Sequence, residues 1–465
     1  MRDVVVMVPG IMGSVLRRDG RAAWAYSGTT AATTLLTQGR RMNQALALSR
    51  DDPDADDLDD GVTVAGLMPD LHLMPGLWKI DGYGSIRRRL VTDFGLEVGV
   101  SYIEFGYDWR RDNRVAARRL AATCRRALAA WRQQSPDARI ILLAHSMGGL
   151  VARYFLEVLE GWRSGDVRAL ITFGTPFRGS ATALDTLANG VHRGSVDLTQ
   201  MSRSFTSVYQ LLPLYPMYDP GDGRYVRVGE TTGIPNVDAD RARAALAFHH
   251  EIRDAVARNR ADPWWEQLGY RLYPVVGRMQ PTLQTGAGRA DGVTMSTTFG
   301  GQDVRGDGTV PRVSAIPLEF DDTGARADLY AASKHGSLQN ADSVLTHLVG
   351  RITDFFTDFG DWRSPKPVGP DLALEVPDLV RSDEEIVVRA QGGGPVTATL
   401  LAHGGDRPSQ TRTAQAEPSS WATLTFDPTP AGRYEVQLSD GGGGEPVRDS
   451  IAVADADAVD RLEGG

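Results

Sequence analysis

Ser146 is the residue in this chain best placed to do chemistry. The apolar, β-branched run Ile140, Ile141, Leu142 and Leu143 ends in Ala144, His145, Ser146, Met147, Gly148 and Gly149. Apolar residues then recur at helical spacing: Leu150, Val151, Tyr154, Phe155 and Val158. The pattern predicts a strand, a sharp turn and a helix, with the serine at the apex. A nucleophile elbow of this kind holds its serine in a strained conformation, so the residues two before and two after must be small. Ala144 and Gly148 meet that requirement, with alanine standing where glycine is commoner. The helix that follows points its first N–H groups at the same spot.

A serine nucleophile needs a base to take its proton and an acid to fix the base's tautomer. On a sheet of this type the chain order is nucleophile, acid, histidine. Two polar turns downstream of Ser146 fit: Gly306, Asp307, Gly308, Thr309, Val310 and Pro311, and later Ser333, Lys334, His335, Gly336 and Ser337. Asp307 is the expected acid, with Asp303 and Asp291 as local competitors. His335 is the expected base, because His249, His250 and His347 fall inside helical patterns, His192 in an insertion and His403 far downstream. The oxyanion formed on attack needs two backbone donors fixed in advance. One is expected from Met147. The other belongs to the loop Val8, Pro9, Gly10, Ile11, Met12, Gly13 and Ser14, with the N–H of Ile11 first and that of Met12 second. Neither Walker A nor dinucleotide-binding glycine spacing occurs there, so phosphate binding is not the expected use of this loop.

The elements that must position these groups follow from periodicity. Strand-like runs at 4–8, 102–105, 139–143, 167–173, 270–276 and 327–330 alternate with helical patterns at 113–133, 151–159 and 344–356. That alternation predicts an α/β fold with a mostly parallel sheet and helices on both faces. An insertion at about 180–268 mixes Pro, Gly and aromatics with a helical segment at 240–258, and long excursions of this kind serve as lids or binding loops. The acidic run 51–60 reads as an exposed, solvated loop; its spacing lacks the glycine and terminal glutamate of an EF-hand. At 363–370 the composition shifts to a Pro-rich linker. Beyond it, six or seven short alternating runs separated by glycine-rich turns predict an all-β sandwich of immunoglobulin-like type. The expected layout is a catalytic domain over 1–362, a sandwich over 371–455 and an acidic tail over 456–465.

The chain has 465 residues, 42% hydrophobic and 23% charged, with a net charge of −9, a composition that belongs to a globular protein with ample core. Its positive charge is almost all arginine, without a basic block, which gives no electrostatic footprint for nucleic acid. Cys124 is the only cysteine, excluding intrachain disulfides and multi-cysteine metal sites. No apolar run approaches the roughly 20 residues that cross a bilayer, and no signal-peptide pattern opens the chain; a cytoplasmic location is expected. No cofactor and no metal is called for.

Together these residues resemble the lecithin:cholesterol acyltransferase and lysosomal phospholipase family of α/β-hydrolases, including its bacterial lipase-like members. The resemblance rests on the glycine-rich loop 6–14, on Gly106, Tyr107, Asp108, Trp109 and Arg110, on the elbow, on the segments 173–180 and 207–213, on Gly306 to Pro311 and on His335 with Gly336. It covers roughly residues 1–360 and leaves the terminal sandwich outside. It implies an α/β-hydrolase fold in which Ser146, Asp307 and His335 take the triad positions and the Ile11 loop supplies the second oxyanion donor. It also implies a structural role for Asp108 and Arg110, and acyl esters of lipids as substrates, with transfer to an alcohol as the alternative to hydrolysis. Met12, Leu77, Trp78 and Tyr209 are then expected to face the substrate, although core packing is an equally simple use for such apolar residues. Transient contact with a lipid surface is a further expectation, and the partner of the sandwich is open. A non-catalytic interaction protein on a hydrolase scaffold is the competing reading. The paired cysteines and secretion signal of the secreted animal members are missing, so their lipoprotein and lysosomal roles do not transfer.

Overall fold

The structure, a computed structural model, describes residues 1–24, 43–69, 82–193, 196–323, 327–356, 372–403, 408–417, 420–440, 446–457 and 459. Six parallel strands form the central sheet: β1 (Val4–Val8), β2 (Tyr102–Glu104), β3 (Ile140–His145), β4 (Val167–Phe173), β5 (Arg271–Gly277) and β6 (Leu329–Ala331), in the spatial order β6-β5-β4-β3-β1-β2. Every residue of β1 and β3 is buried. A strand buried at consecutive positions has both faces covered, which explains why these runs are continuous rather than alternating. Helices α1 (Gly84–Phe94) and α6 (Asp342–Asp354) pack together, whereas α2 (Asn113–Trp131) packs with α3 (Gly148–Arg153). Asp112 caps α2 by accepting the N–H of Arg114, and Gly95 ends α1 in a left-handed turn. This is an α/β-hydrolase fold, with two additional sheets toward the C-terminus that are antiparallel except where Leu379–Arg381 pairs parallel with Val447–Ala454.

Three features depart from the sequence reading. A three-stranded antiparallel sheet joins Arg21–Trp24, Ser14–Arg18 and Val62–Leu67 directly after the glycine-rich loop. The first two form a hairpin across Asp19 and Gly20, both at positive φ, a local Asp-Gly turn signal outside the sequence reading, whereas Val62–Leu67 joins from far along the chain. The acidic run is not simply solvated. Its Asp51 and Asp60 carboxylates and the carbonyls of Asp52, Ala55 and Asp56 are gathered around Arg110 and Arg111. The insertion also contains short strands, with Tyr218–Asp219 pairing to Thr285–Arg289, as well as α4 (Ala181–Asn189) and the long helix α5 (Ala239–Arg260). It is tied down near α2: the N–H of Asn113 donates to Gln210 Oε1, and the N–H of Ser207 to the carbonyl of Arg110.

The C-terminal region holds eight strands in two sheets. Ala373–Glu375, Ile386–Gln391 and Ala422–Phe426 form one; Leu379–Arg381, Val447–Ala454, Gly432–Ser439, Pro395–Ala402 and Pro408–Gln415 form the other. Their inner faces share a hydrophobic cluster including Leu374, Val388, Leu400, Phe426 and Val436, separate from the cluster around the central sheet. The linker at 363–370 and most of the tail lie outside the described residues.

Candidate active site

The turn after β3 places Ser146 in the left-handed region, at φ 51°. Its N–H donates to the carbonyl of Phe173 at the end of β4 (2.9 Å), so the apex is held by the neighbouring strand. The surroundings explain the small residues. Ala144 lies fully buried between Val8 and Thr172, and a Cβ at Gly148 would stand 2.7 Å from the carbonyl oxygen of Val8.

Asp307 and His335 arrive from loops beyond β5 and β6, and the structure brings both to Ser146. His335 Nε2 lies 2.8 Å from Ser146 Oγ, and His335 Nδ1 lies 2.7 Å from Asp307 Oδ2. The other carboxylate oxygen of Asp307 accepts the N–H groups of Thr309 and Val310 at 2.9 and 2.7 Å. Asp307 is 1% exposed, His335 4% and Ser146 5%. A carboxylate can only accept, so the imidazole proton sits on Nδ1 and the Nε2 lone pair faces the serine hydroxyl. Two glycines make room: a Cβ at Gly174 would lie 2.7 Å from Asp307 Oδ2, and one at Gly277 would overlap the Cβ of Asp307. The competing residues are engaged elsewhere. Asp303 pairs with Arg305 and Asp291 with Arg289, His347 bonds Asp328, and His249 bonds the carbonyl of Gln210.

The glycine-rich loop closes over the serine from the β1 side. The N–H of Gly13 returns to the carbonyl of Gly10 (3.0 Å), with Met12 in a left-handed conformation at φ 63°. A Cβ at Gly10 would lie 2.8 Å from the Cβ of Ser146, so only glycine allows this approach. Among the described residues, the N–H groups of Ile11 and Met147 have no backbone acceptor, leaving them available to an oxyanion.

A second buried network, not anticipated from the sequence, joins the three loops. The N–H of Gly10 donates to Tyr83 Oη (2.9 Å), Tyr83 Oη lies 3.0 Å from His145 Nδ1, and His145 Nε2 lies 2.9 Å from the carbonyl of His335. The carbonyl accepts only, so His145 carries its proton on Nε2 and receives the Tyr83 hydroxyl at Nδ1. Burial, assisted by the nearby His335, depresses the His145 pKa to about 3, and burial raises that of the Tyr83 hydroxyl above its usual range. Both groups stay neutral near pH 7. The only signal in the sequence was a histidine beside the nucleophile, and its partner Tyr83 lies 62 positions away.

The residues expected to face substrate divide. Met12 is buried in the loop beside Ser146, and its carbonyl accepts from Trp24 Nε1. Tyr209 is placed otherwise: it is 2% exposed, with the Arg241 guanidinium 4.1 Å from its ring and its hydroxyl accepting the N–H of Asp238. It lines a cavity of about 600 Å³ with Arg114 and Ala245, of which the triad is not part, because helix α5 covers its face. Leu77 and Trp78 lie outside the described residues. Asp108 and Arg110 form a buttress: Arg110 is fully buried and bonds Asp108, Asp60 and the carbonyl of Leu46.

Residues 79–232 match the family model described as lecithin:cholesterol acyltransferase, in line with the resemblance carried by the motifs. Among curated proteins, the human lysosomal phospholipase A and acyltransferase is 30% identical over 120 residues, covering 24% of this chain and 29% of that protein. A phospholipase A(1) of Arabidopsis thaliana is 28% identical over 103 residues, covering 22% and 23%. The matches thus span less than a third of the length of these two relatives. Among solved structures, the mature form of a Bacillus licheniformis lipase is 15% identical and covers 73% of this chain and 87% of that chain, at a TM-score of 0.31.

Proposed function

We propose that this chain is a serine ester hydrolase acting on lipid-like acyl esters through an acyl-enzyme. The observation that carries the reading is the continuous hydrogen-bonded line from Ser146 Oγ through His335 to Asp307. Ser146 Oγ attacks the ester carbonyl carbon while His335 Nε2 takes its proton, and Asp307 stabilises the imidazolium from the Nδ1 side. The oxyanion lies against the N–H groups of Ile11 and Met147. Collapse of the tetrahedral intermediate breaks the bond to the alkoxy oxygen, which leaves as the alcohol with the proton from His335. Water, activated by the same imidazole, then attacks the acyl-enzyme and releases the acid. Transfer to an alcohol instead of water is the second reading, favoured by the acyltransferase named in the human relative; both outcomes share the acyl-enzyme.

The two hydrophobic clusters support a catalytic unit over 1–362 and a sandwich over 371–455. Among the described residues no helix is long and apolar enough to cross a membrane. A cytoplasmic location is part of the proposal, and the buried free thiol of Cys124 is compatible with it. The deciding experiment is Ser146→Ala assayed with p-nitrophenyl esters, phospholipids and acylglycerols, with and without an added alcohol. Turnover should fall by roughly 10⁵–10⁶-fold and fluorophosphonate labelling should vanish. Retained turnover in that variant overturns the assignment.

A further inference from the structure

The loops that carry Asp307 and His335 are tied to the C-terminal sandwich, and Gln280 is where the ties meet. Gln280, in the segment after β5, is completely buried. Its main chain pairs in both directions with Gly306, the residue before Asp307 (2.9 and 3.1 Å). Its side-chain Nε2 donates to the carbonyl of Ala332, three residues before His335 (2.8 Å), while Oε1 accepts the N–H of Leu374 from the sandwich (3.2 Å). One residue thus connects the acid loop through its main chain with the base loop and a strand of the second hydrophobic cluster through its side-chain amide.

Two further contacts reach the same loops. Lys334, next to His335, pairs with Asp449 of the sandwich (2.5 Å). Arg305, two residues before Asp307, donates to Gln391 Oε1 of the sandwich (2.8 Å). A cleft of about 370 Å³ borders these contacts, lined among others by Asp307, Lys334 and His335 and, from the sandwich, by Leu374, Glu375 and Asp449. Around the cleft the sandwich therefore holds the loops by discrete polar ties, and a buried amide that loses its partners leaves several donors and acceptors unpaired at once.

We propose that Gln280 is a positioning residue through which the sandwich fixes the distance and aim between Asp307 and His335. The inference rests on the serine-hydrolase reading above. Gln280 touches neither Ser146 nor the oxyanion loop, so its loss acts on the acid–base pair and leaves substrate binding in place.

The test uses the full-length protein carrying Gln280→Met, which keeps the length of the side chain and removes both hydrogen bonds. With a p-nitrophenyl ester below the melting temperature, kcat should fall by about 10²-fold, the effect of a roughly 1 Å misplacement, with KM little changed. The acidic limb of the kcat/KM profile should move to lower pH, because the imidazolium loses a well-placed carboxylate. Unchanged kcat and an unmoved limb, with or without a lower melting temperature, overturn the proposal. If Gln280→Met does not fold, Gln391→Ala breaks the Arg305 tie from the sandwich side. There a several-fold loss of kcat with the same shift supports the proposal, and wild-type behaviour overturns it. Ser146→Ala in the same assay keeps the two claims apart: turnover retained there overturns the hydrolase reading itself.

Discussion

The two halves of the candidate triad are held by different physics. The nucleophile half is backbone and sheet: Ser146 follows β3 and is held by β4, with Gly10 pressed against its Cβ and Gly148 against the carbonyls of Val8 and Pro9, so closely that no side chain fits at either glycine. The acid–base half is loop and side chain: Asp307 and His335 extend past the outer strands β5 and β6 and are fixed by amides, guanidinium and ammonium groups, several of them bonded to the sandwich. The first half is set chiefly by the absence of volume; the second also needs the room left by Gly174 and Gly277 but adds side-chain hydrogen bonds that the first does not use. The first should break when an atom is added, the second when a polar partner is removed.

Asp307→Asn removes no volume and should cause the largest loss on the acid–base side. An amide that donates to His335 Nδ1 favours the wrong tautomer, and kcat should fall by about 10⁴-fold; a value within tenfold of wild type would mean that the acid is not needed for orientation. Gly10→Ala tests the other half by adding one methyl group against Ser146 and the oxyanion loop. A loss of about 10²–10³-fold, the scale of one oxyanion donor, is expected in both ester turnover and fluorophosphonate labelling, and full labelling would show that the loop has room to yield. The smallest effect lies in the protonation of two buried histidines. His145 and His249 are kept neutral mainly by burial, with pKa values of about 3 and 4, whereas unfolded histidine titrates near 6.5. Below about pH 6.5 the unfolded chain takes up protons that the folded chain refuses. Stability is therefore complete above that pH and declines toward pH 4 by up to about 1.4 kcal/mol per pH unit for each group. His249→Gln, which retains a donor for the Gln210 carbonyl, should flatten this decline in urea melts between pH 7 and 4.5 while leaving kcat near wild type. An unchanged slope would remove His249 from the account.

The same contrast governs what could be read from the sequence. The elbow is local, since strand, small residues and helix all fall within 139–158, so its pattern was legible. The strands 4–8 and 167–173 are legible at their observed bounds because they are buried on both faces: the first is continuously apolar, and the second is broken only by the half-buried Arg168 and by Thr172. The Tyr83–His145 network and the Gln280 ties depend on contacts between residues far apart in the chain, which periodicity does not encode. Tyr209 was expected to face substrate because it is aromatic and lies in the insertion, but aromatic character does not distinguish a site wall from a packing face. In the sandwich, Pro408–Gln415 escaped the reading: it is an edge strand whose described side chains are all at least partly exposed, so it has no apolar alternation to detect. Leu379–Arg381 is too short to show a period.

The backbone angle at Ser146 has a last consequence. A residue other than glycine held there carries a penalty of about 1–3 kcal/mol, so for folding alone glycine would be the better occupant. Reactivity and thermostability pull on the same torsion in opposite directions, and the residue that acts is one at which the chain carries that cost.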